Sequence, residues 1–275
     1  MILIINFSKI KYKNKLIKIG ITGGTGLLGH LFVKKLKQKG IKFTLFKGNI
    51  LKINSITKWI KLNKKIEFIF HFAAVSSALK AKDNTRNAYK VNVKGTENLI
   101  KAIKNKKIWF FFPSTSHIYK FSKNKIKESF TKKPISYYGK TKLNAEKKII
   151  NYKDPNFSFC IGRIFSIYHK NQKKPFLFPS IREKIKLNKK DKIFIKNAFS
   201  VRDFLNAEEV VEIIFKIYKK RIKGIYNIGS GKGTTIKKFV KKQFKLKEEI
   251  ISDNEINSLV SDNNKLNNKI YARKF

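Results

Sequence analysis

The chain has 275 residues, of which 42% are hydrophobic, so it can bury a sizeable core and global disorder is excluded. No apolar stretch approaches the roughly 20 residues that a membrane span needs. A single cysteine, Cys160, excludes a disulfide framework and a cysteine-based metal site, and no spacing of His, Asp and Glu predicts a metal site of another kind. We expect a cytoplasmic protein.

The net charge of +47 would suit a nucleic-acid-binding protein, but the kind of basic residue argues against that function. Only six of the 64 basic residues are arginines, the side chain that contacts guanine bidentately and stacks on bases. The lysines are spread along the chain together with many Ile, Asn and Phe residues, all of which have A/T-rich codons. We therefore predict no specific nucleic-acid partner, although salt-sensitive attraction to phosphates follows from the charge itself.

The predicted elements alternate between strands and helices over the first 165 residues. Residues 1–15 precede the first clear element and are predicted to be either an extension or a wrongly assigned start of the chain. Apolar runs and helical stripes then predict a strand at 16–21, a helix at 27–39, a strand at 41–46, a helix at 53–62, a strand at 66–72, a helix at 84–104, a strand at 108–114, a helix at 137–152 and a strand at 157–164. This alternation implies right-handed crossovers and a parallel sheet, so we predict an α/β fold with a doubly wound Rossmann domain over residues 16–165.

The pattern beyond residue 165 is less regular. Its predicted elements are a helix at 207–219, an extended segment at 225–228 and a helix at 235–244. The tail from about residue 253 is rich in Asn and Ser and is predicted to pack loosely. We assign residues 166–275 to a small C-terminal substrate-binding lobe, of which about 200–230 packs back against the Rossmann domain.

A glycine-rich turn, TGGTGLLG at 22–29, joins the first predicted strand to the first helix. Gly23 permits the tight turn, Gly26 lets the backbone approach a pyrophosphate, and Gly29 lets the helix pack close to the sheet. The helix N-terminus then offers free N–H groups and the positive end of its dipole. The turn predicts a dinucleotide site whose contacts are Gly23, Thr25, Gly26, Leu27, Leu28 and Gly29.

Lys47 stands where the choice between the two nicotinamide cofactors is usually made. An NAD site places an acidic residue near the end of the second strand, where it binds the ribose 2′-hydroxyl. Here that position falls 18 residues after Gly29 and holds Lys47. A lysine attracts a 2′-phosphate, so we predict NADP(H) in preference to NAD(H).

Tyr138 and Lys142 form a Y-x-x-x-K pair on the predicted helix 137–152. Their i, i+4 spacing places both side chains on one helix face. An ammonium beside a phenol favours the phenolate, so we expect Lys142 to lower the pKa of Tyr138 from its usual value of about 10. Thr115 follows the end of the strand at 108–114, where the ligand crevice of a parallel sheet lies. Its hydroxyl can bind the same substrate oxygen as the phenol.

The chain resembles the extended short-chain dehydrogenase/reductase family, which comprises nucleotide-sugar epimerases, dehydratases and reductases. The resemblance covers roughly residues 16–240 and rests on an ordered set of motifs. These are TGGTGLLG at 22–29, HFAA at 71–74, YKVNVKGTENL at 89–99, PSTSHIY at 113–119, PISYYGKTKLNAEK at 134–147, RIFSIY at 163–168, RDF at 202–204 and YNIGSG at 226–231.

The resemblance implies three groups of site residues. The implied catalytic residues are Thr115, Tyr138 and Lys142, of which Lys142 also holds the nicotinamide ribose. The implied cofactor contacts outside the glycine turn are Asn49 and Ile50 near the adenine, Ala73 and Ala74 along the cofactor groove, and Asn92, which organises the central helix. The implied substrate contacts are Ser77, His117, Ser166 and Arg202, the last of which grips the diphosphate of a nucleotide sugar.

Departures from the family pattern narrow the reaction. Dehydratases of the family carry Asp-Glu where this chain has Ser116 and His117, so elimination of water is not expected. Combined epimerase/reductases carry an acid–base residue at the place of His117 and a histidine near the place of Phe176, so that pair is incomplete. His117 is either a proton donor or a residue that lines the pocket. Ser166 replaces an asparagine that often binds substrate, which predicts an unusual sugar specificity.

The predicted function is NADPH-dependent reduction of a 4-keto-6-deoxy sugar on a nucleoside diphosphate, as in dTDP-4-dehydrorhamnose reductases. One alternative is an NAD-dependent 4-epimerase of the UDP-glucose 4-epimerase kind, which uses the same three residues and keeps its cofactor bound. An alternative from another class is a non-catalytic NADP-sensing protein on the same scaffold. The resemblance further implies a homodimer through the helix that carries Tyr138, although lysines on that helix oppose it.

Overall fold

The computed structural model describes residues 18–187, 192–253 and 255–272. The extension predicted at 1–15 and the first two residues of the predicted strand 16–21 lie outside the described residues. The strands are β1 (Ile19–Thr22), β2 (Phe43–Phe46), β3 (Phe68–His71), β4 (Ile108–Thr115), β5 (Phe157–Ile164), β6 (Ser166–Tyr168), β7 (Lys192–Phe194), β8 (Val201–Asn206), β9 (Gly224–Ile228), β10 (Gly233–Thr235), β11 (Glu249–Ile251) and β12 (Ser258–Leu259). The helices are α1 (Leu27–Gln38), α2 (Ile53–Leu62), α3 (Ala78–Asp83), α4 (Thr85–Tyr89), α5 (Gly95–Ala102), α6 (Tyr137–Ile150), α7 (Leu177–Leu187), α8 (Ala207–Lys219), α9 (Ile236–Phe244) and α10 (Asn264–Tyr271).

Among the described residues, six strands form one parallel sheet in the order β2-β1-β3-β4-β5-β9. The chain moves from β1 to one edge to form β2, then returns past β1 to form β3, so the strand order reverses between β1 and β3. In doubly wound sheets, ligands bind outside the carboxyl ends of the strands at this reversal. The predicted doubly wound parallel sheet of the Rossmann type is confirmed.

Both faces of this sheet are covered, which explains the apolar run in β4. Trp109 and Phe111 pack into the core that lies under α1 and α8. Phe110 and Phe112 point to the opposite face and pack under α2, α5 and α6. A strand that is buried on both faces needs apolar side chains at successive positions. The polar residues of β4 accordingly come only at its carboxyl end, where the crevice opens.

The helix predicted at 84–104 is divided in the structure. A turn of π-helix at Lys90–Lys94 separates α4 from α5. Within this turn the Asn92 carbonyl accepts a hydrogen bond from the Thr96 hydroxyl, and the Asn92 side chain bonds the backbone of Val75 in both directions. The extra residue of a π turn thus aims Asn92 at the loop after β3. Apolar periodicity cannot show such an insertion, which often marks a functional region.

The C-terminal part of the chain builds a separate layer of strands. Strands β6, β8, β10 and β12 form a small mixed sheet, and β7 pairs with β11. An apolar cluster that includes Phe178, Ile193 and Phe239 holds α7 and α9 to these strands. Helix α8 and strand β9 pack instead with the large sheet. The proposed division into residues 16–165 and 166–275 stays a prediction.

The prediction that the tail from about residue 253 packs loosely is wrong. Strand β12 pairs with β8, and α10 buries Leu266 and Ile270 in the same core as β1 and α1. The two apolar residues are four positions apart and therefore share one face of the helix. Between β12 and α10, the backbone N–H and the hydroxyl of Ser261 donate to the buried Asp203 carboxylate at 3.1 and 2.5 Å. The prediction relied on the Asn- and Ser-rich composition, which gives no information about these contacts.

Candidate functional site

The glycine-rich turn lies at the carboxyl end of β1, beside the strand reversal. Gly23 adopts φ +70°, and a Cβ atom there would clash with the backbone of Ala73. A Cβ atom at Gly29 would clash with the Gly23 carbonyl oxygen, because α1 starts against the turn itself. Gly26 differs from both, since a Cβ atom there would meet only the Gly23 oxygen, at 3.5 Å. Gly26 therefore faces open space on the crevice side.

Unpartnered donors around the turn fit a nicotinamide dinucleotide. Helix α1 begins at Gly26 with no side-chain cap and no acidic residue in its first turn, so its first N–H groups are free to bind an anion. Thr25 is exposed next to them, and Leu27 and Leu28 are half-buried. At the end of β4 the buried Ser114 hydroxyl lacks a hydrogen-bond partner among the described residues. A buried hydroxyl of this kind calls for a ligand or water to satisfy it.

A chain of buried hydrogen bonds connects the glycine-rich turn to α6, the helix that carries the predicted catalytic pair Tyr138 and Lys142. His71 at the end of β3 bonds Thr22 through Nδ1 (2.6 Å) and Thr96 through Nε2 (2.9 Å). Thr96 donates to the Asn92 carbonyl, and Asn92 Nδ2 donates to the Thr141 hydroxyl on α6 at 2.9 Å. Burial, aided by the charge of Lys142, lowers the pKa of His71 to about 3, so the ring is neutral.

The role of these polar residues was only partly predictable. Asn92 was implied as a cofactor contact, but its side chain bonds the protein on both sides, so it would act on a ligand through Val75 and Thr141. The contributions of Thr96 and Thr141 were missed. The spacing of Thr96, four residues after Asn92 on a helix, was the available signal.

The structure brings the three predicted catalytic side chains together at the carboxyl edge of β4. Thr115 ends that strand, and Tyr138 and Lys142 lie on successive turns of α6, which Ser136 caps by accepting the Gly139 N–H. The Thr115 hydroxyl lies near the phenol of Tyr138 and favours its ionised form. Tyr138 is partly exposed to the crevice, whereas Lys142 is 2% exposed. The phenol is thus the member of the group that a substrate can reach.

The protonation states differ from the sequence-based expectation. Burial raises the pKa of Tyr138, and the hydrogen bond from Thr115 only partly opposes that effect. The expectation that Lys142 lowers the pKa of this phenol is wrong for the protein as described. Burial likewise lowers the pKa of Lys142 to about 7, against the attraction of Glu146. The amine Nζ lies 3.8 Å from the centre of the Phe112 ring. Near neutral pH the phenol of Tyr138 is therefore protonated, and Lys142, one turn further along α6, is only partly charged.

A buried ion pair, which the sequence analysis did not predict, joins helix α6 to strand β5 of the large sheet. Glu146 accepts from Arg163 of β5 through both carboxylate oxygens, at 3.2 and 2.8 Å, and the two side chains are 0% and 1% exposed. Arg163 also donates to the Tyr119 hydroxyl, which donates to Asn227 of β9. Buried charges persist when they are paired in this way. The detectable signal was a lone arginine in an otherwise apolar strand.

The residues implied as substrate contacts lie in different surroundings. His117 Nδ1 lies 3.0 Å from the Ser136 hydroxyl, and its ring stands edge-on to Tyr138 with 6.1 Å between centres. The Arg202 guanidinium donates to Asn257 and lies 5.5 Å from the Phe121 ring. The charge of Arg202 contributes to a lowered pKa of His117.

The other predicted contacts are placed as follows. Ser77 is buried and caps α3 by accepting the Lys80 N–H, and Ser166 is half-buried in β6. The cofactor candidates after β2 are Lys47 and Asn49, which are exposed, and Ile50, whose side chain packs in the core against Gly95. Ala73 and Ala74 are half-buried beside the glycine turn. Any contact of Ile50 with an adenine would have to come from its backbone.

Two further observations concern the described part of the chain. None of its helices is long and apolar enough to cross a membrane. Across the same ranges, no group of three or more His, Cys, Asp and Glu side chains could hold a metal ion. Cys160 is buried in β5, and burial raises the pKa of its thiol, which leaves it unreactive.

Comparison with known proteins gives concordant matches. The family model described as "NAD dependent epimerase/dehydratase family" matches residues 19–229. GDP-6-deoxy-D-talose 4-dehydrogenase from Aggregatibacter actinomycetemcomitans is 30% identical over 230 residues, which cover 80% of this chain and 76% of the relative. ADP-L-glycero-D-manno-heptose-6-epimerase from Brachyspira hyodysenteriae is 25% identical over 243 residues, 77% of this chain and 75% of the relative.

Solved structures share the fold over nearly the whole chain. MoeE5 in complex with UDP-glucose and NAD superposes with a TM-score of 0.80 and 20% identity, covering 94% of each chain. RMD from Pseudomonas aeruginosa complexed with NADPH gives a TM-score of 0.80 at 20% identity, covering 92% of each chain. At this level of identity the likeness concerns the fold.

Proposed function

Because this chain belongs to the NAD dependent epimerase/dehydratase family and is an enzyme, we propose that it reduces a 4-keto-6-deoxy sugar carried on a nucleoside diphosphate, with NADPH as the reductant. The observation that carries the proposal is the placement of the Tyr138 phenol near the Thr115 hydroxyl, at the carboxyl edge of the sheet. Reduction of a ketone needs a proton donor at this place.

The three side chains divide the work of the reduction. A bound NADPH supplies the hydride to C4 of the sugar. Tyr138 donates its proton to the oxygen that becomes an alkoxide, and the Thr115 hydroxyl donates a hydrogen bond to the same oxygen. Lys142 stabilises the phenolate that remains, and its own affinity for a proton rises as that negative charge forms nearby. The crevice then returns to its starting state when Tyr138 regains a proton from water.

Reduction is favoured over the other reactions of the family by what surrounds the phenol. Elimination needs a carboxylate pair, and the corresponding positions hold Ser116 and His117. The relative named GDP-6-deoxy-D-talose 4-dehydrogenase carries in its name redox chemistry at position 4 of a 6-deoxy sugar on GDP. These points support a 4-keto reductase.

The preference for NADP(H) rests on the end of β2. Lys47 is exposed immediately after that strand, and Gly48 and Asn49 after it are exposed and uncharged. A 2′-phosphate would meet a cation there rather than the carboxylate of an NAD site. NAD(H) would lose this contact, so it remains the weaker cofactor in our proposal.

Arg202 is suited to the diphosphate of the substrate. Burial lowers the pKa of Arg202 to about 10, which still leaves the guanidinium charged at neutral pH. Its hydrogen bonds go to backbone carbonyls and to the amide of Asn257, and none of the described carboxylates forms an ion pair with it. The charge of Glu255 favours the charged form of Arg202, and a guanidinium that is not hydrogen-bonded to a carboxylate is a strong site for phosphate oxygens.

The test is a turnover assay with NADPH and a panel of GDP-, dTDP- and UDP-linked 4-keto-6-deoxy sugars. We expect stoichiometric loss of the reduced-nicotinamide absorbance with at least one of them, in moderate salt that suppresses non-specific attraction to the lysines. A 4-epimerase would interconvert sugars with no net absorbance change. A cofactor-sensing protein would bind NADPH without turnover with any sugar. Either of those two results would contradict the proposal.

A further inference from the structure

His117 is held rigidly at the wall of the crevice. Its backbone N–H donates to the Thr115 hydroxyl oxygen at 3.2 Å, and its carbonyl accepts from the Ile135 N–H at 3.0 Å. Helix α6 starts directly against it, because a Cβ atom at Gly139 would clash with the His117 carbonyl oxygen. The imidazole therefore keeps a defined place beside the Tyr138 ring.

The hydrogen bonds of Ser136 determine which ring nitrogen of His117 carries the proton. The Ser136 oxygen accepts the Gly139 N–H at 3.1 Å as the cap of α6, and it lies 3.0 Å from His117 Nδ1. A serine hydroxyl has one hydrogen to donate. The assignment that uses every hydrogen has Ser136 donating to Nδ1, so the neutral ring carries its proton on Nε2. None of the residues in the described ranges accepts a hydrogen bond from Nε2.

The charge around the ring opposes a second proton. Burial, together with the charge of Arg202, lowers the pKa of His117 to about 4. The phenol of Tyr138 next to it is uncharged as well. A histidine in these surroundings is a fixed donor of a hydrogen bond over the whole physiological range.

From this arrangement we propose that His117 donates a hydrogen bond from Nε2 to a sugar oxygen on a carbon next to the reacting one, and that it selects the substrate without transferring a proton. Ser136 is the positioning residue that sets the tautomer. The inference rests on the proposed function, which it deepens. It predicts a preference for sugars with a hydroxyl or keto oxygen at that carbon over deoxy or protonated amino sugars, since an ammonium would meet a donor.

The first experiment compares His117→Gln with His117→Asn. The glutamine amide nitrogen reaches the place of Nε2, whereas the asparagine amide nitrogen reaches the place of Nδ1. We expect kcat/KM for the sugar to fall about 10-fold in His117→Asn, mostly through KM, and to be largely restored in His117→Gln. Glutamine cannot act as an acid, so this rescue separates donation from proton transfer. Equal losses in the two variants would overturn the inference.

The second experiment follows the tautomer itself. Nitrogen NMR of the imidazole should show the Nε2–H form in the wild type and a mixture of both neutral forms in Ser136→Ala. The matched control is Thr235→Ala, which removes the same kind of helix cap from α9 by deleting the oxygen that accepts the Lys238 N–H. We expect both variants to lower the melting temperature, but only Ser136→Ala to change the His117 signals and the KM of the sugar.

Different results would contradict the proposed function and the inference about His117. A lack of NADPH oxidation by the wild type with every sugar would overturn the proposed function, while the NMR result would still stand. An Nδ1–H tautomer in the wild type would overturn the inference about His117, whatever the turnover. So would solvent deuterium that enters the neighbouring sugar carbon in the wild type and is lost in His117→Gln, because that result would show proton transfer by the histidine.

Discussion

The proposed site has a wall for the cofactor and a wall for the substrate, and the two are built by different means. The cofactor wall is made mostly of backbone, namely the glycine turn, the free N–H groups at the start of α1 and the end of β3. The substrate wall is made of side chains from distant segments, such as Arg202, which is held by Asn257, and His117, which is held by Ser136. A wall of backbone follows from local glycine spacing. A wall of side chains depends on contacts between residues that are 19 and 55 positions apart in the chain, so its specificity can change while the fold stays the same.

Tyr138 lies between the two walls, and removal of its hydroxyl should cause the largest loss of activity among these variants. Tyr138→Phe deletes the proton donor, so we expect kcat to fall by about 100- to 10,000-fold, the usual contribution of general acid catalysis. Melting temperature and NADPH affinity should change little. Tyr137→Phe on the same helix is the matched control and should keep its turnover. Full activity in Tyr138→Phe would rule out the proposed proton donor.

Lys142 should destabilise the folded protein, in addition to its proposed role in the site. Its folded pKa of about 7 lies below the ordinary lysine value of 10.5, so the unfolded chain binds this proton more tightly. The destabilisation is then complete below about pH 7 and disappears as the pH rises toward 10.5. We expect Lys142→Met to be inactive yet more stable than the wild type, with a stability gap that closes between these pH values in denaturant titrations. A constant gap would contradict the lowered pKa.

Alanine substitutions at two glycines of the cofactor wall should have different effects, one on cofactor binding and the other on the stability of the fold. Gly26→Ala places a methyl group in open space at the start of α1, so we expect the melting temperature to hold while dinucleotide affinity falls about 100-fold through loss of close approach. Gly29→Ala forces a methyl group into the backbone of the turn, so it should destabilise the fold by about 1–3 kcal/mol. Thermal melts and cofactor titrations measure both quantities. Unchanged dinucleotide affinity in Gly26→Ala would mean that the dinucleotide lies elsewhere.

The smallest of these effects concerns Lys47. Lys47→Ala should weaken NADPH binding about 10-fold and leave NADH binding nearly unchanged, because only NADPH has a 2′-phosphate. The control is Lys42→Ala, which removes an exposed lysine just before β2. Titrations in moderate salt are needed so that the overall charge of the chain does not dominate. Equal losses for the two cofactors would end the argument for NADP(H).

The contrast between the walls also explains what was predictable. The parallel sheet, the glycine turn and the positions of Thr115, Tyr138 and Lys142 follow from local patterns, since each depends on one strand end or one helix face. The division of the helix at 84–104 was not predictable, because it depends on how Asn92 meets Val75. The buried pair of Glu146 and Arg163 likewise joins separate elements. The protonation of Tyr138 was misjudged because burial, which a sequence does not display, outweighs a neighbouring amine.

Helix α10 has a consequence for the order in which the protein is made. Its Leu266 and Ile270 complete the apolar core that Ile19 and Ile21 of β1 begin. A nascent chain on the ribosome therefore holds this core open until the codons beyond residue 264 have been translated and the helix has emerged. The glycine turn, which precedes α10 in the chain, therefore reaches its final packing only after α10 has emerged.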